Sequence, residues 1–261
     1  GVVDWTGVWT DFLKNMPANY YTVKGDVLNG QVLAGSAPFI IDVRETAEVE
    51  KAGFIKGAVN IPLRSLLQNL DKLPALDQPI VVYCAIGHRG AMAMVSLRML
   101  GYDAVSLGGG FNGWVKAKLP VETGKPTDPV AGTAATVDAL RLKDLDAYLT
   151  NLPESFYGMK DADVLVALGS ATPPTVLDVR TAEEVKTNGF IKGSTFIPVT
   201  ELLADMTKLP ADKTAQVITV CSAGHRGGVA TMALRMLGYT NTSSIFGGLN
   251  TWIADKLPLE K

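Results

Sequence analysis

The sequence predicts an α/β protein made of two tandem domains, and three observations carry that prediction. The block DVRETAEVEKAGFIKGAVNIP starting at Asp42 returns as DVRTAEEVKTNGFIKGSTFIP starting at Asp178, 136 residues further on. Short runs rich in β-branched residues stand at matching places in both copies. Each copy then follows one such run with a segment of helical period that stops at a glycine. The echo extends well beyond the block: LRMLGY at 97–102 recurs unchanged at 234–239, and GGFNGW ending at Trp114 recurs as GGLNTW ending at Trp252. Self-similarity on this scale, with each half near the modal domain size, is the signature of a duplication.

Taken in order, each copy opens on a matching prelude, NMPANYY from Asn15 and NLPESFY from Asn151. Its aromatics Tyr20, Tyr21, Phe156 and Tyr157 are expected to pack near a helix-to-loop junction. Trp5 and Trp9 lack aromatic counterparts in the second copy and are expected to cover a surface between the domains. PFIIDV at 38–43 and PIVVYC at 79–84, with PTVLDV at 174–179 and AQVITV at 215–220, show no polar alternation, which fits parallel strands covered on both faces. The segment 90–100 keeps Met92, Val95 and Met99 on one helical face and stops at Gly101; its twin at 227–237 stops at Gly238. Trp114, Trp252, Tyr102 and Tyr239 read as packing residues. The stretch 119–136, rich in Pro, Gly and Thr, has no hydrophobic period and reads as a linker. The division expected is 1–125 for the first domain, 126–136 for the linker and 137–261 for the second domain.

Composition narrows the function. The 261 residues are 47% hydrophobic and 19% charged, with net charge −2 and pI near 5.8, so the chain offers no basic field for nucleic acid. No apolar stretch approaches the roughly 20 residues a spanning helix needs. The sequence begins at Gly1 with no signal pattern, which leaves the compartment open between the cytoplasm and export with the targeting segment absent. Two cysteines are too few for a disulfide framework.

Those two cysteines and the only two histidines share one loop in each copy: Cys84-Ala85-Ile86-Gly87-His88-Arg89 and Cys221-Ser222-Ala223-Gly224-His225-Arg226. A cysteine that ends a strand just before a helix start receives inward-pointing backbone N–H groups, which favour a thiolate or a persulfide anion. Gly87 and Gly224 supply the backbone freedom for the tight curve. His88 and His225 are expected to point to solvent. Arg89 and Arg226 either bind an anionic substrate or brace the loop. One Cys and one His per loop are too few to hold zinc, so neither a metal nor a cofactor is expected.

The ordered landmarks (strand-DVR, Gly-x-Ile-x-Gly, a Cys-x4-Arg loop opening a helix, Leu-Gly-Tyr, Gly-Gly-x-x-x-Trp) resemble the rhodanese family across both halves. The resemblance implies tandem rhodanese-like domains, each a small, mostly parallel five-stranded sheet flanked by helices. It also implies sulfurtransferase chemistry: persulfides on Cys84 and Cys221, a small anionic donor such as thiosulfate, and a thiol or cyanide acceptor, with a thioredoxin-like reductant among the candidates. Residues 85–89 and 222–226 would supply donors to the sulfur, and Arg44 and Arg180 would lie near the rim or pair with Asp42 and Asp178. The sequence departs from the family pattern in carrying Phe54 and Phe190 where His is usual, and Gly90 and Gly227 where a hydroxyl residue often follows the loop arginine. Two other classes stay open: a non-turnover persulfide carrier or regulatory module, and a phosphatase or arsenate reductase of the same fold. The latter resemble the chain less, because the related phosphatase loop is one residue longer.

Overall fold

The computed structural model describes residues 1–261. The chain divides into two units, one of residues 1–3 and 18–152, the other of residues 4–17 and 153–261. Its elements run α1 (Trp5–Lys14), β1 (Thr22–Val23), α2 (Gly25–Leu33), β2 (Phe39–Asp42), α3 (Thr46–Ala52), β3 (Val59–Asn60), a 3₁₀ stretch (Leu63–Lys72), β4 (Pro79–Tyr83), α4 (His88–Met99), β5 (Asp103–Leu107) and α5 (Gly110–Lys116). The second copy repeats them as α6 (Ala139–Thr150), β6 (Gly158–Met159), α7 (Asp161–Leu168), β7 (Thr175–Asp178), α8 (Ala182–Asn188), β8 (Thr195–Phe196), 3₁₀ turns (Val199–Ala204 and Met206–Lys208), β9 (Val217–Val220), α9 (His225–Met236), β10 (Thr242–Ile245) and α10 (Gly248–Ala254).

Each unit holds one five-stranded sheet, in the order β1-β5-β4-β2-β3 in the first and β6-β10-β9-β7-β8 in the second. Every pairing is parallel. The β-branched runs are the central strands, which explains their lack of alternation: Ile41, Val82, Leu177 and Ile218 are fully buried. Parallel pairing requires crossovers, and the helices between strands supply them. In register, Asp42 pairs with Tyr83 and Val82 with Ser106, so the DVR segment and the cysteine both emerge at the carboxyl edge of the sheet.

The units do not follow the expected boundaries. Helix α1 belongs to the second unit, where Trp9 and Leu13 are buried and the helix packs on Val199–Ala204. Its homologue α6 belongs to the first unit, packed on Leu63–Lys72 with Leu145 and Leu149 fully buried. There Arg64 Nε donates to Leu152 O at 2.9 Å and Arg141 Nη1 to Met99 O at 3.1 Å. Trp9 is therefore core of the second unit. The stretch 119–136 has little regular structure, as a linker would, yet it belongs to the first unit. The Gly132 N–H reaches Asp71 O, and residues 125–129 wall a cavity with Thr46, Val49, Glu50 and Asn60. The expected break near Lys125 thus falls inside a unit. The repeat marks where each copy begins, but which copy's surface a helix covers leaves no trace in the pattern.

Candidate active site

In both units the cysteine follows the central strand directly, and the next residues curl into a helix. That helix starts two residues earlier than expected, at His88 and His225, because Gly87 and Gly224 take left-handed backbone at φ 116° and 104° as its N-caps. The curl aims backbone N–H groups at sulfur. Gly87 N–H and Gly90 N–H donate to Cys84 Sγ at 3.1 and 3.2 Å, and Gly224 N–H and Gly227 N–H to Cys221 Sγ at the same distances. Gly90 and Gly227 lie one residue beyond the expected donor stretches. Both cysteines are free thiols, each 1% exposed.

The loops are held from behind by residues of the GGFNGW and GGLNTW segments to which the sequence assigned no role. Phe111 and Asn112 N–H groups, at the start of α5, donate to the carbonyls of Cys84 and Ala85, each at 2.8 Å. Leu249 and Asn250 do the same for Cys221 and Ser222 at 2.7 and 2.9 Å. The backbones approach so closely that a Cβ on Gly110 would lie 2.6 Å from Ala85 O, and one on Gly248 2.5 Å from Cys221 O. The signal was the Gly-Gly pair of GGFNGW and GGLNTW, which marks close backbone approach.

Arg89 and Arg226 brace their loops. Arg89 forks onto Glu48 at 2.7 and 2.8 Å, and Arg226 onto Glu184 at 2.7 and 2.6 Å. These acids were missed, although E-T-A-E and T-A-E-E match the capping box that each forms at the start of α3 and α8. Hydrogen bonds from Arg89 hold Glu48 below the usual carboxylate range against the opposing effect of burial. Arg226 does the same for Glu184, more strongly, with Ser222 Oγ adding a bond at 2.9 Å. Ala85, Ile86, Ser222 and Ala223 line the curl half-buried.

Two expectations are corrected. His88 is buried at 1% exposure as the first residue of α4, while His225 is half-buried, so neither loop histidine projects freely into water. Arg44 and Arg180 do not reach the rim to meet substrate; they take the other place open to them, the pairing with Asp42 and Asp178. At 2% exposure each, they fork onto Asp42 and Asp178 (Nη2 to Oδ2, 2.6 Å) and donate to Gly53 O and Gly189 O at 2.7 Å. The spacing in DVR lets an arginine fold back on an aspartate two residues earlier on the same strand end. Arg44 also stacks over Phe111 at 4.1 Å; the second copy has Leu249 there, and Arg180 Nη1 is left buried without a partner.

Fold and loop together define a class of protein: paired parallel α/β units, each presenting a cysteine sulfur in a cradle of backbone N–H groups at the carboxyl edge of its sheet. The model of the rhodanese-like domain matches the chain twice, at residues 27–117 and 161–255, and the chain belongs to that family as a tandem two-domain member. It is 34% identical over 85 residues to a thiosulfate sulfurtransferase, GlpE, of Haemophilus influenzae, spanning 32% of this chain and 79% of that one. It is 32% identical over 99 residues to the human thiosulfate:glutathione sulfurtransferase, spanning 33% and 85%. Among solved structures, a rhodanese-related protein of Thermoplasma volcanium shares 30% identity at a TM-score of 0.36, covering 40% of this chain and 96% of that one. Family membership and the two sulfurtransferases matched in sequence support sulfur transfer as the general chemistry of the chain. No helix is long and apolar enough to cross a membrane.

Proposed function

We propose that the chain moves sulfane sulfur from a small anionic donor, thiosulfate foremost, to cyanide or a thiol, through persulfides on Cys84 and Cys221. The observation that carries this reading is the pair of N–H groups on each sulfur, repeated at matching distances in both units. In the loading step the cysteine thiolate attacks the outer sulfur of thiosulfate; the donor's S–S bond breaks and sulfite leaves with the electron pair. In the discharge step cyanide attacks the outer sulfur of the persulfide, thiocyanate departs, and the thiolate returns. The cradle serves both anions, because preorganised N–H dipoles need no rearrangement when charge moves between neighbouring sulfurs.

With Arg89 and Arg226 neutralised by Glu48 and Glu184, attraction of the donor falls to the backbone, and the arginines act by fixing the curl. The two cysteines serve as separate nucleophiles, one per unit. Thiocyanate formation from thiosulfate and cyanide tests the proposal. Cys84→Ser and Cys221→Ser should each retain part of the turnover and the double variant none. Turnover in the double variant would overturn the assignment, and loading without turnover in the parent would point to a persulfide carrier.

A further inference from the structure

Ser106, on β5, is 1% exposed, and its hydroxyl has no hydrogen-bond partner. Buried polar groups are nearly always bonded, so an orphan demands an explanation. Its place in the fold supplies one. Ser106 pairs with Val82 across β4 and β5, and Cys84 follows Val82 by two residues, so strand alternation turns Ser106 and Cys84 toward the same side of the sheet. There both flank the bare Cα of Gly90: a Cβ built on Gly90 would lie 2.9 Å from Ser106 Oγ and 3.7 Å from Cys84 Sγ. Gly90 itself gives its N–H to the sulfur. The hydroxyl thus occupies the space that a side chain at position 90 would claim.

The second unit repeats the arrangement in more polar surroundings. Ser244 Oγ would lie 3.1 Å from a Gly227 Cβ, itself 3.7 Å from Cys221 Sγ. There Thr219 Oγ1 donates to Gly227 O at 2.9 Å and shares a hydrogen bond with Thr231 at 2.9 Å. In the first unit Val82 and Met94 hold the corresponding positions, and they offer Ser106 nothing to bond.

Building on the sulfur-transfer reading, we propose that Ser106 is a further catalytic residue of the first site, its hydroxyl donating to Cys84 Sγ when that sulfur carries charge. The step it serves is discharge. The acceptor attacks the outer sulfur, the persulfide S–S bond breaks, and the electron pair passes to Cys84 Sγ. The Gly87 N–H, the Gly90 N–H and the Ser106 O–H then hold the leaving thiolate.

The test uses the full chain carrying Cys221→Ser, so that Cys84 alone reports. Cys84 is loaded from thiosulfate or polysulfide, excess donor is removed, and loss of sulfur to cyanide is followed by intact mass. Ser106→Ala should discharge about tenfold more slowly, the effect of one hydrogen bond to a charged group, while its thermal midpoint does not fall. Ser106→Thr should discharge at the parent rate. Gly90→Ser combined with Ser106→Ala, which returns a hydroxyl from the other side into the vacated space, should recover most of it. Parent-like discharge by Ser106→Ala overturns the proposal. Should the parent take up no sulfur from either donor, the transfer reading fails instead, and alkylation of Cys84 by iodoacetamide at pH 6 still decides on Ser106. Slower alkylation in Ser106→Ala upholds the hydrogen bond, and equal rates overturn it.

Discussion

At the residue scale, each site rests on an acid that touches no sulfur. Glu48 and Glu184 sit below the usual carboxylate value of 4.5 because an arginine holds their charged form. An acid depressed by folding contributes stability that is full above its ordinary value and is lost as pH falls through its folded value. Both loops should therefore loosen together on acidification below about pH 4.5, where the unfolded acids begin to bind protons that the folded ones refuse. Replacing Glu184 with Gln should cost about 1–2 kcal/mol at pH 7, since Arg226 keeps its burial and loses its charge partner. Thermal melts of Glu184→Gln at pH 7 and pH 3 check this, and an equal deficit at both would contradict it. Asp161 runs the other way: burial, then the neighbouring Asp255, raises it from 3.8 to about 6. Its protonated form is favoured by folding, so that contribution is present below about pH 4 and lost as pH rises through about 6. Asp161→Asn should accordingly stabilise the chain at pH 8, by about 1 kcal/mol at most after solvent screening, and bring no gain at pH 4. The capping-box spacing around Glu48 and Glu184 stands in the sequence, yet nothing local singles out either acid as part of a site, because the arginine that each meets lies far along the chain. A partner 41 or 42 residues away leaves no local period.

At the element scale, the strand, curl and helix were legible because each rests on local chemistry. Apolar β-branched runs make the buried strands, a glycine makes the left-handed cap, and the two together place the cysteine at the sheet edge. What escaped was the clamp. The start of α5 holds the loop by hydrogen bonds between backbones brought together from 27 residues apart, and only the absence of a side chain at Gly110 hints at it. Gly110→Ala should displace the Cys84 loop, since the new methyl would lie within 2.9 Å of the Cys84 and Ala85 carbonyls. Persulfide formation at Cys84 should fall by at least an order of magnitude, while Cys221, in the other unit, should load as in the parent. Normal loading at Cys84 would show that the clamp is dispensable.

At the scale of the whole molecule, duplication announces itself in the sequence, but the exchange of α1 and α6 does not, since the two helices occupy equivalent places in the repeat. Trp9 is buried in the unit whose cysteine is Cys221. Trp9→Ala should therefore destabilise that unit by about 3–5 kcal/mol and impair loading at Cys221 more than at Cys84, the opposite of what a division at Lys125 predicts. Peptide-resolved hydrogen exchange would locate the damage: loss of protection across β7, β9 and α9 agrees with the exchange, and loss across β2, β4 and α4 contradicts it. Whether both units carry working sulfur sites is read from intact-protein mass after incubation with thiosulfate and removal of excess donor. The parent should gain two sulfur atoms, Cys84→Ser and Cys221→Ser one each, and cyanide should strip them all; retention of sulfur at neither cysteine, or at only one, would contradict a working site in each unit.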